Sequence, residues 1–248
     1  MRVIWISSNR FGFEALKYSL TLSGIDIYKL IINNEDFKFI VYDGVPRDSW
    51  NVLNINIDEV STITGAKSML EKERPDLLIV IGWREIIPED IISIPKLGTI
   101  GFHPTLLPFG RGPAPIINTI LSGIKKSGVT MFYLDKGLDS GDIIGQESFE
   151  IGENDYAGDV YFKVIKAGKR LLKRYLPLLK NGTAPRIPQD ERKVFYFKKP
   201  RLKDNKIDLY KDSPELIIRK IRALSKPYLG AYIKTGEKKL RIWKADLE

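Results

Sequence analysis

The stretch DLLIVIGWREIIPEDIISIPKLGTIGFH, residues 76–103, decides the fold. Positions 77–81 are apolar without interruption, which fits a strand buried on both faces and not one half-exposed to water. Gly82 ends the run. Pro88 falls where a helix tolerates proline, at its first turn, and Gly98 to His103 reads as a second strand. Strand, short helix and strand in close succession predict a parallel pair with a crossover.

The same alternation continues in both directions. Upstream, Val3 to Ser7, Ile27 to Ile32 and Phe37 to Tyr42 read as strands. Phe13 to Leu22 reads as a helix, and Asp58 to Leu70 as another with Asp58 as its N-cap. Downstream, Pro113 to Leu121 is helical, Val129 to Leu134 and Ile143 to Phe149 are strands, and Asp159 to Leu179 is a long amphipathic helix. Asn181 to Pro185 breaks that helix. The expected class is α/β with a mostly parallel sheet and a ligand cleft beyond the strands' carboxyl ends. From about residue 186 the character changes. Residues 189–206 are basic with interleaved aromatics, Pro214 to Leu224 is helical, and a hairpin is expected around Gly236. Two units are therefore expected: 1–185, and a small C-terminal α+β appendage over 186–248.

Composition removes several chemistries. The 248 residues include no cysteine and one histidine, which excludes thiolate catalysis, disulfides and multi-histidine metal sites. No metal is expected. A formal net charge of +9 favours anionic partners such as phosphorylated small molecules or nucleic acid. No apolar run approaches the ~20 residues of a membrane span, and the N-terminal apolar stretch is too short for a signal peptide. A cytoplasmic location and no membrane partner are expected. Neither a Gly-x-Gly-x-x-Gly turn nor a Walker lysine motif is present.

The chemistry is concentrated between Gly98 and Gly145. There stand Gly101-Phe102-His103-Pro104-Thr105-Leu106-Leu107-Pro108, then Arg111-Gly112-Pro113, then Gly128-Val129-Thr130, then Leu138-Asp139-Ser140-Gly141-Asp142-Ile143. In order and spacing this resembles the folate-dependent formyltransferases, whose pattern is Asn-x-His-Pro-Ser-Leu-Leu-Pro, Arg-Gly, Gly-Val-Thr and Leu-Asp-x-Gly-x-Ile. A weaker resemblance runs through Gln189 to Asp208 and Ile221 to Ala231. It implies a Rossmann-like formyltransferase fold and formyl transfer from 10-formyltetrahydrofolate to an amine.

By that resemblance His103 and Asp139 carry the reaction. An imidazole can donate to a tetrahedral oxyanion or move protons, and a carboxylate can orient it. Thr105 keeps the hydroxyl of the family serine. Gly101 stands where the family has the asparagine that polarises the formyl oxygen, and losing one such donor typically costs about 10²–10³ in rate. Three readings stay open: a substitute donor, a slow enzyme or a retuned site. The folate pocket is expected from Gly82, Trp83, Arg84, Ile86, Ile87 and Pro88, with Leu107 and Asp142. Arg111 and Gly112, which precede a helix and could hold an anion there, and Lys199 and Arg201 are expected to meet the acceptor. The basic aromatic stretch Arg192 to Lys199 reads either as a nucleotide-binding segment or as a strand with basic flanks. Lys169-Arg170 and Lys173-Arg174 read as a solvated helix face.

Two acceptors fit the positive charge: a nucleotide-linked amino sugar, or methionyl-tRNA. The 48 residues after Pro200 are too few for the closed five-stranded barrel of a fuller C-terminal domain, which favours the sugar nucleotide. The resemblance also leaves room for a homodimer. Gly101 keeps two further alternatives alive, a catalytically impaired folate or nucleotide binder and a formyl-folate hydrolase.

Overall fold

A computed structural model describes residues 1–36 and 42–247. In chain order the elements are β1 (Arg2–Ser7), α1 (Arg10–Ser19), β2 (Asp26–Asn33), α2 (Arg47–Asn51), β3 (Asn56–Val60), α3 (Lys67–Glu73), β4 (Leu77–Ile81), α4 (Glu89–Ile92), β5 (Thr99–His103) and β6 (Phe109–Arg111). There follow α5 (Pro115–Leu121), β7 (Lys126–Tyr133), β8 (Ile143–Glu150), α6 (Ala157–Lys180), β9 (Phe195–Tyr196), α7 (Pro214–Leu224), β10 (Ala231–Thr235) and β11 (Lys238–Ile242).

Seven strands form the main sheet in the order β3-β2-β1-β4-β5-β7-β8. The first five pair in parallel, and β7 runs antiparallel between β5 and β8. The fold is thus the expected mostly parallel α/β sheet, with a separate β10–β11 hairpin near the C-terminus. Burial on both faces explains why β4 is apolar throughout. One face packs Trp5, Ile79, Ile100 and Phe102 into a cluster with α1 and α6, and the other packs Ile4, Ile6, Leu78 and Val80 with Leu70 and Ile91. Ile221, Leu224 and Ala231 join the first cluster.

Two expectations are corrected here. Asp58 does not cap a helix; it lies on edge strand β3, and α3 starts only after a 3₁₀ turn over Ile63–Ala66. The three-residue spacing of Ile57, Val60 and Ile63 imitates a helix. On β3, however, Asp58 reaches Lys29 of neighbouring β2 at 2.9 Å, and Glu73 holds the same nearly buried ammonium at 2.6 Å. A strand beside a buried lysine supplies the carboxylate that lysine requires. Helix α1 begins three residues before expectation because Asn9 caps it, accepting from the Gly12 N–H at 2.9 Å. The strand expected over 37–42 lies outside the described residues except for Tyr42, which is in a turn.

A buried polar knot fastens the N-terminal loops to α6. Asp43 accepts from Tyr161 Oη at 2.6 Å, Asn9 Nδ2 at 2.9 Å and Arg84 Nη2 at 2.8 Å, while Tyr161 Oη accepts from the Phe11 N–H at 3.0 Å. Burial, then the adjacent Asp43 charge, pushes the Tyr161 phenol well above its ordinary range, so it remains the donor. Tyr161→Phe removes that donor and strands the Phe11 N–H. Urea unfolding should show a loss of about 1–3 kcal/mol, whereas an unchanged midpoint would mean that water replaces the phenol.

Candidate active site

The parallel register pairs Val80 with Gly101, so the exit of β4 at Gly82 stands level with His103, the last residue of β5. Carboxyl ends of adjacent strands are where α/β sheets open a cleft. His103 is nearly buried. Its Nε2 lies 2.7 Å from the Gly110 carbonyl, and its Nδ1 lies 3.5 Å from Asp139 Oδ2. Asp139 has a left-handed backbone, φ 53°, and its Oδ2 also accepts from the Gly112 N–H at 2.8 Å. Residues far apart in sequence thereby meet at one point, and the pair can hold or exchange a proton there.

The turn after β5 is fastened from the neighbouring strands. Thr130 Oγ1 of β7 donates to the Thr105 carbonyl at 2.7 Å and accepts from the Leu107 N–H at 3.0 Å. Gln146 Nε2 of β8 donates to Thr130 Oγ1 at 2.9 Å and to the Leu107 carbonyl at 2.8 Å. Leu107 itself is buried against Phe132 and Ile143. The Thr105 hydroxyl is buried with no hydrogen-bond partner among the described residues. Gly101 faces a filled space: a Cβ added there would come within 2.7 Å of Leu134 Cδ2 and 3.3 Å of the Phe132 ring.

Arg111 departs from expectation. Its side chain is 1% exposed, and its guanidinium faces the protein. Nε and Nη2 donate to Gln189 Oε1 at 3.1 and 2.9 Å, Nη2 donates to Glu191 Oε1 at 2.7 Å, and Nη1 reaches Tyr196 Oη at 3.3 Å. These donors are engaged internally, so Arg111 organises the 189–196 segment and does not offer an anion site. Gln189 then turns its Nε2 to the carbonyls of Asp139 and Gly141, at 2.9 and 2.8 Å. It links Arg111 to the Asp139 loop, a role the sequence alone did not reveal. Gly112 contributes its N–H to Asp139. Arg201 is also engaged locally, pairing with Asp204 at 3.3 Å in a short 3₁₀ turn. Lys199 is exposed, and Asp142 is half-buried with its carbonyl accepting from the Tyr133 N–H at 2.9 Å.

Beside His103 the 82–88 loop has the features a planar heterocycle would use. Gly82 is left-handed, φ 70°, and pressed against the Asn9 side chain. Arg84 is tied to Asp43, and Glu85 Oε2 accepts from the Ile63 N–H at 2.7 Å. Trp83 packs on the second core cluster, Ile87 is buried, and Pro88 caps α4. Among the described residues no backbone–backbone hydrogen bond engages Arg84 to Ile87. Ile86 is 80% exposed. The backbone of residues 84–87 thus lies beside an exposed apolar side chain at the end of β4.

Residues 62–176 match the family described as Formyl transferase, and residues 201–248 match Formyl transferase, C-terminal domain. A methionyl-tRNA formyltransferase from Pelotomaculum thermopropionicum is 32% identical over 99% of this chain and 79% of its own length. Another from Carboxydothermus hydrogenoformans is 37% identical over 69% of this chain, and there the match spans about half (55%) of the relative. Among solved structures, a sugar N-formyltransferase from Shewanella sp FDAARGOS_354 superposes with TM-score 0.78 at 21% identity, covering 100% of this chain and 99% of that one. Within the described residues no helix is long and apolar enough to cross a membrane. With both family regions matched in order and a relative above 30% identity over 99% of this chain, the chain belongs to the formyl transferase family of enzymes.

Proposed function

We propose that this chain transfers the formyl group of 10-formyltetrahydrofolate to the amino group of a nucleotide-linked amino sugar. The observation that carries the formyl-transfer part is the His103–Asp139 pair at the carboxyl end of β5, level with the 82–88 loop. The folate supplies the activated formyl carbon. The loop backbone of residues 84–87 reads the pterin edge, and Ile86 covers its face. His103 acts at the reacting amine, and Asp139 supports the charge the imidazole gains. No step in this scheme calls on a metal.

The acceptor side rests on a second observation. Phe109 of β6 and Phe195 of β9 stack at 5.0 Å with nearly parallel rings, and Phe197 meets both edge-on at 5.8 Å. Phe109, Phe195 and Tyr196 are all substantially exposed, and Lys198 and Lys199 follow them. An open aromatic face beside ammonium groups suits a single base and its phosphates. The strand of this segment, β9, pairs with β6, eight residues or fewer from His103. Methionyl-tRNA is the second reading, supported by the 32% identity to the methionyl-tRNA enzyme.

Incubation with 10-formyltetrahydrofolate and a panel of nucleotide amino sugars, methionyl-tRNA and no acceptor separates these readings. Formylated sugar nucleotide is expected. Formylated tRNA alone would move the acceptor, deformylation without an acceptor would indicate hydrolysis, and no turnover would indicate a binding protein. His103→Ala should abolish transfer while tetrahydrofolate binding persists. Phe195→Leu should raise the acceptor KM roughly ten- to a hundredfold, the value of one base stack, and leave the folate KM unchanged.

Gly101 gives a sharper test of the site. Leu134 and Phe132 fill the space that an asparagine side chain would enter, so Gly101→Asn alone should overpack the site and cost about 1–3 kcal/mol of stability. Combined with Leu134→Ala, the amide gains room. The double variant should recover stability relative to Gly101→Asn and exceed Leu134→Ala in transfer rate. Equal rates in the double variant and Leu134→Ala would mean that the site has no use for an amide at position 101.

A further inference from the structure

His103 is the only imidazole in the chain, and its two nitrogens stand in different surroundings. Nε2 is 2.7 Å from the carbonyl oxygen of Gly110. A carbonyl can only accept, so Nε2 must carry a hydrogen in either protonation state. Nδ1 is 3.5 Å from Asp139 Oδ2, too far for a tight N–H···O bond, and that same oxygen already accepts from the Gly112 N–H at 2.8 Å. In the neutral ring the hydrogen therefore resides on Nε2, and Nδ1 holds the lone pair. This is opposite to the arrangement in which a carboxylate accepts from Nδ1–H and leaves Nε2 to work.

The geometry points to Gly110 as a positioning residue that fixes the His103 tautomer, and to Nδ1 as the nitrogen that accepts and returns the proton. The carbonyl is aimed by a conformation that favours glycine. Gly110 has φ 79°, and a Cβ there would come within 2.7 Å of Phe197 Cε2 and 2.9 Å of Thr105 Cγ2. Phe197 is buried, and its N–H donates to the Arg111 carbonyl at 2.8 Å. Aromatic packing on one side and the Thr105 turn on the other thus wedge the Gly110 peptide against the ring. Asp139 stabilises the cation formed when Nδ1 takes its proton and does not choose the tautomer.

The proton step rests on the formyl-transfer reading; the tautomer does not. In that step the acceptor nitrogen forms its bond to the formyl carbon and gives up a proton to the Nδ1 lone pair. The bond from that carbon to the donor nitrogen breaks, and the same proton moves from Nδ1 to the departing nitrogen, so His103 ends as it began.

Nitrogen-15 labelling makes this measurable without assay of turnover, because one histidine gives one imidazole spin system. In the neutral state of the unliganded protein, long-range proton–nitrogen correlation should show a protonated Nε2 and an unprotonated Nδ1. A protonated Nδ1 in the neutral ring would overturn the proposal. Asp139→Ala should leave the Nε2–H tautomer in place. If the hydrogen moved to Nδ1 or distributed over both nitrogens, Asp139 and not Gly110 would be setting it. Gly110→Ala should disturb the assignment towards a mixture; if that variant fails to fold, Phe197→Leu, which loosens the wedge without touching the ring, serves in its place. A ring whose tautomer is unaffected by either change would also refute the role of Gly110. For the proton step, His103 replaced by its Nδ1-methyl analogue should lose transfer to the level of His103→Ala. Parental turnover by that analogue, with the wild-type tautomer as stated, would leave Gly110 its role and remove the proton step from Nδ1.

Discussion

A guanidinium with 1% of its surface exposed must find its acceptors inside the protein, and Arg111 finds them on a segment about eighty residues away. An unpaired charge at that depth costs several kcal/mol, so the path of residues 189–196 is dictated by where Arg111 points. Burial opposes the charge, but the Glu191 carboxylate and Tyr196 outweigh it and hold the guanidinium above its ordinary range. Glu191 is mostly solvent-exposed, so water weakens its share of the pairing. Gln189, half-buried, accepts from Nε and Nη2 together. Its amide nitrogen then binds the Asp139 and Gly141 carbonyls. A buried arginine is thereby linked through Gln189 to the backbone of the Asp139 loop, while the Gly112 N–H holds the Asp139 carboxylate itself.

The sheet supplies the other half of that geometry. β5 is buried along its whole length between parallel β4 and antiparallel β7. Its final residue cannot shift along the sheet without breaking both ladders. Beyond it the chain turns sharply, and Thr130 and Gln146 satisfy the turn's carbonyls and N–H groups from β7 and β8. Buried backbone groups need such partners. This explains why the Gly-Val-Thr motif belongs with the histidine motif: Thr130 pairs with His103 in register.

What was legible in the sequence follows from range. The apolar run 77–81, the Pro88 start and the Pro214 to Leu224 helix are local signals, and each element formed there. The His103–Asp139 encounter was legible only through the motif resemblance, since no periodicity brings residue 139 to residue 103. Asp58 misled because its spacing imitated a helix while Lys29, on another strand, decided its place. The bond between Arg111 and Gln189 was invisible for the same reason: an arginine before a helix looks like an anion site until its actual acceptors are known. Strands β6 and β9 are three and two residues long, too short for any alternation to announce them.

Those two short strands carry more than their length suggests. Phe109 and Phe195 present the exposed stack, and Phe197, just past β9, is the buried ring that touches both. Phe197 also closes over Gly110, whose carbonyl meets the imidazole. One aromatic cluster therefore has an outer face open to a ligand and an inner face bearing on His103. Cores of this kind are close-packed and transmit displacement in place of absorbing it. Of the three rings only Phe197 meets the Gly110 peptide, and it packs edge-on against both Phe109 and Phe195, so the exposed stack and the imidazole's carbonyl partner share that one ring. Glycine at position 110 permits this contact, because any larger residue would separate Phe197 from the turn it supports.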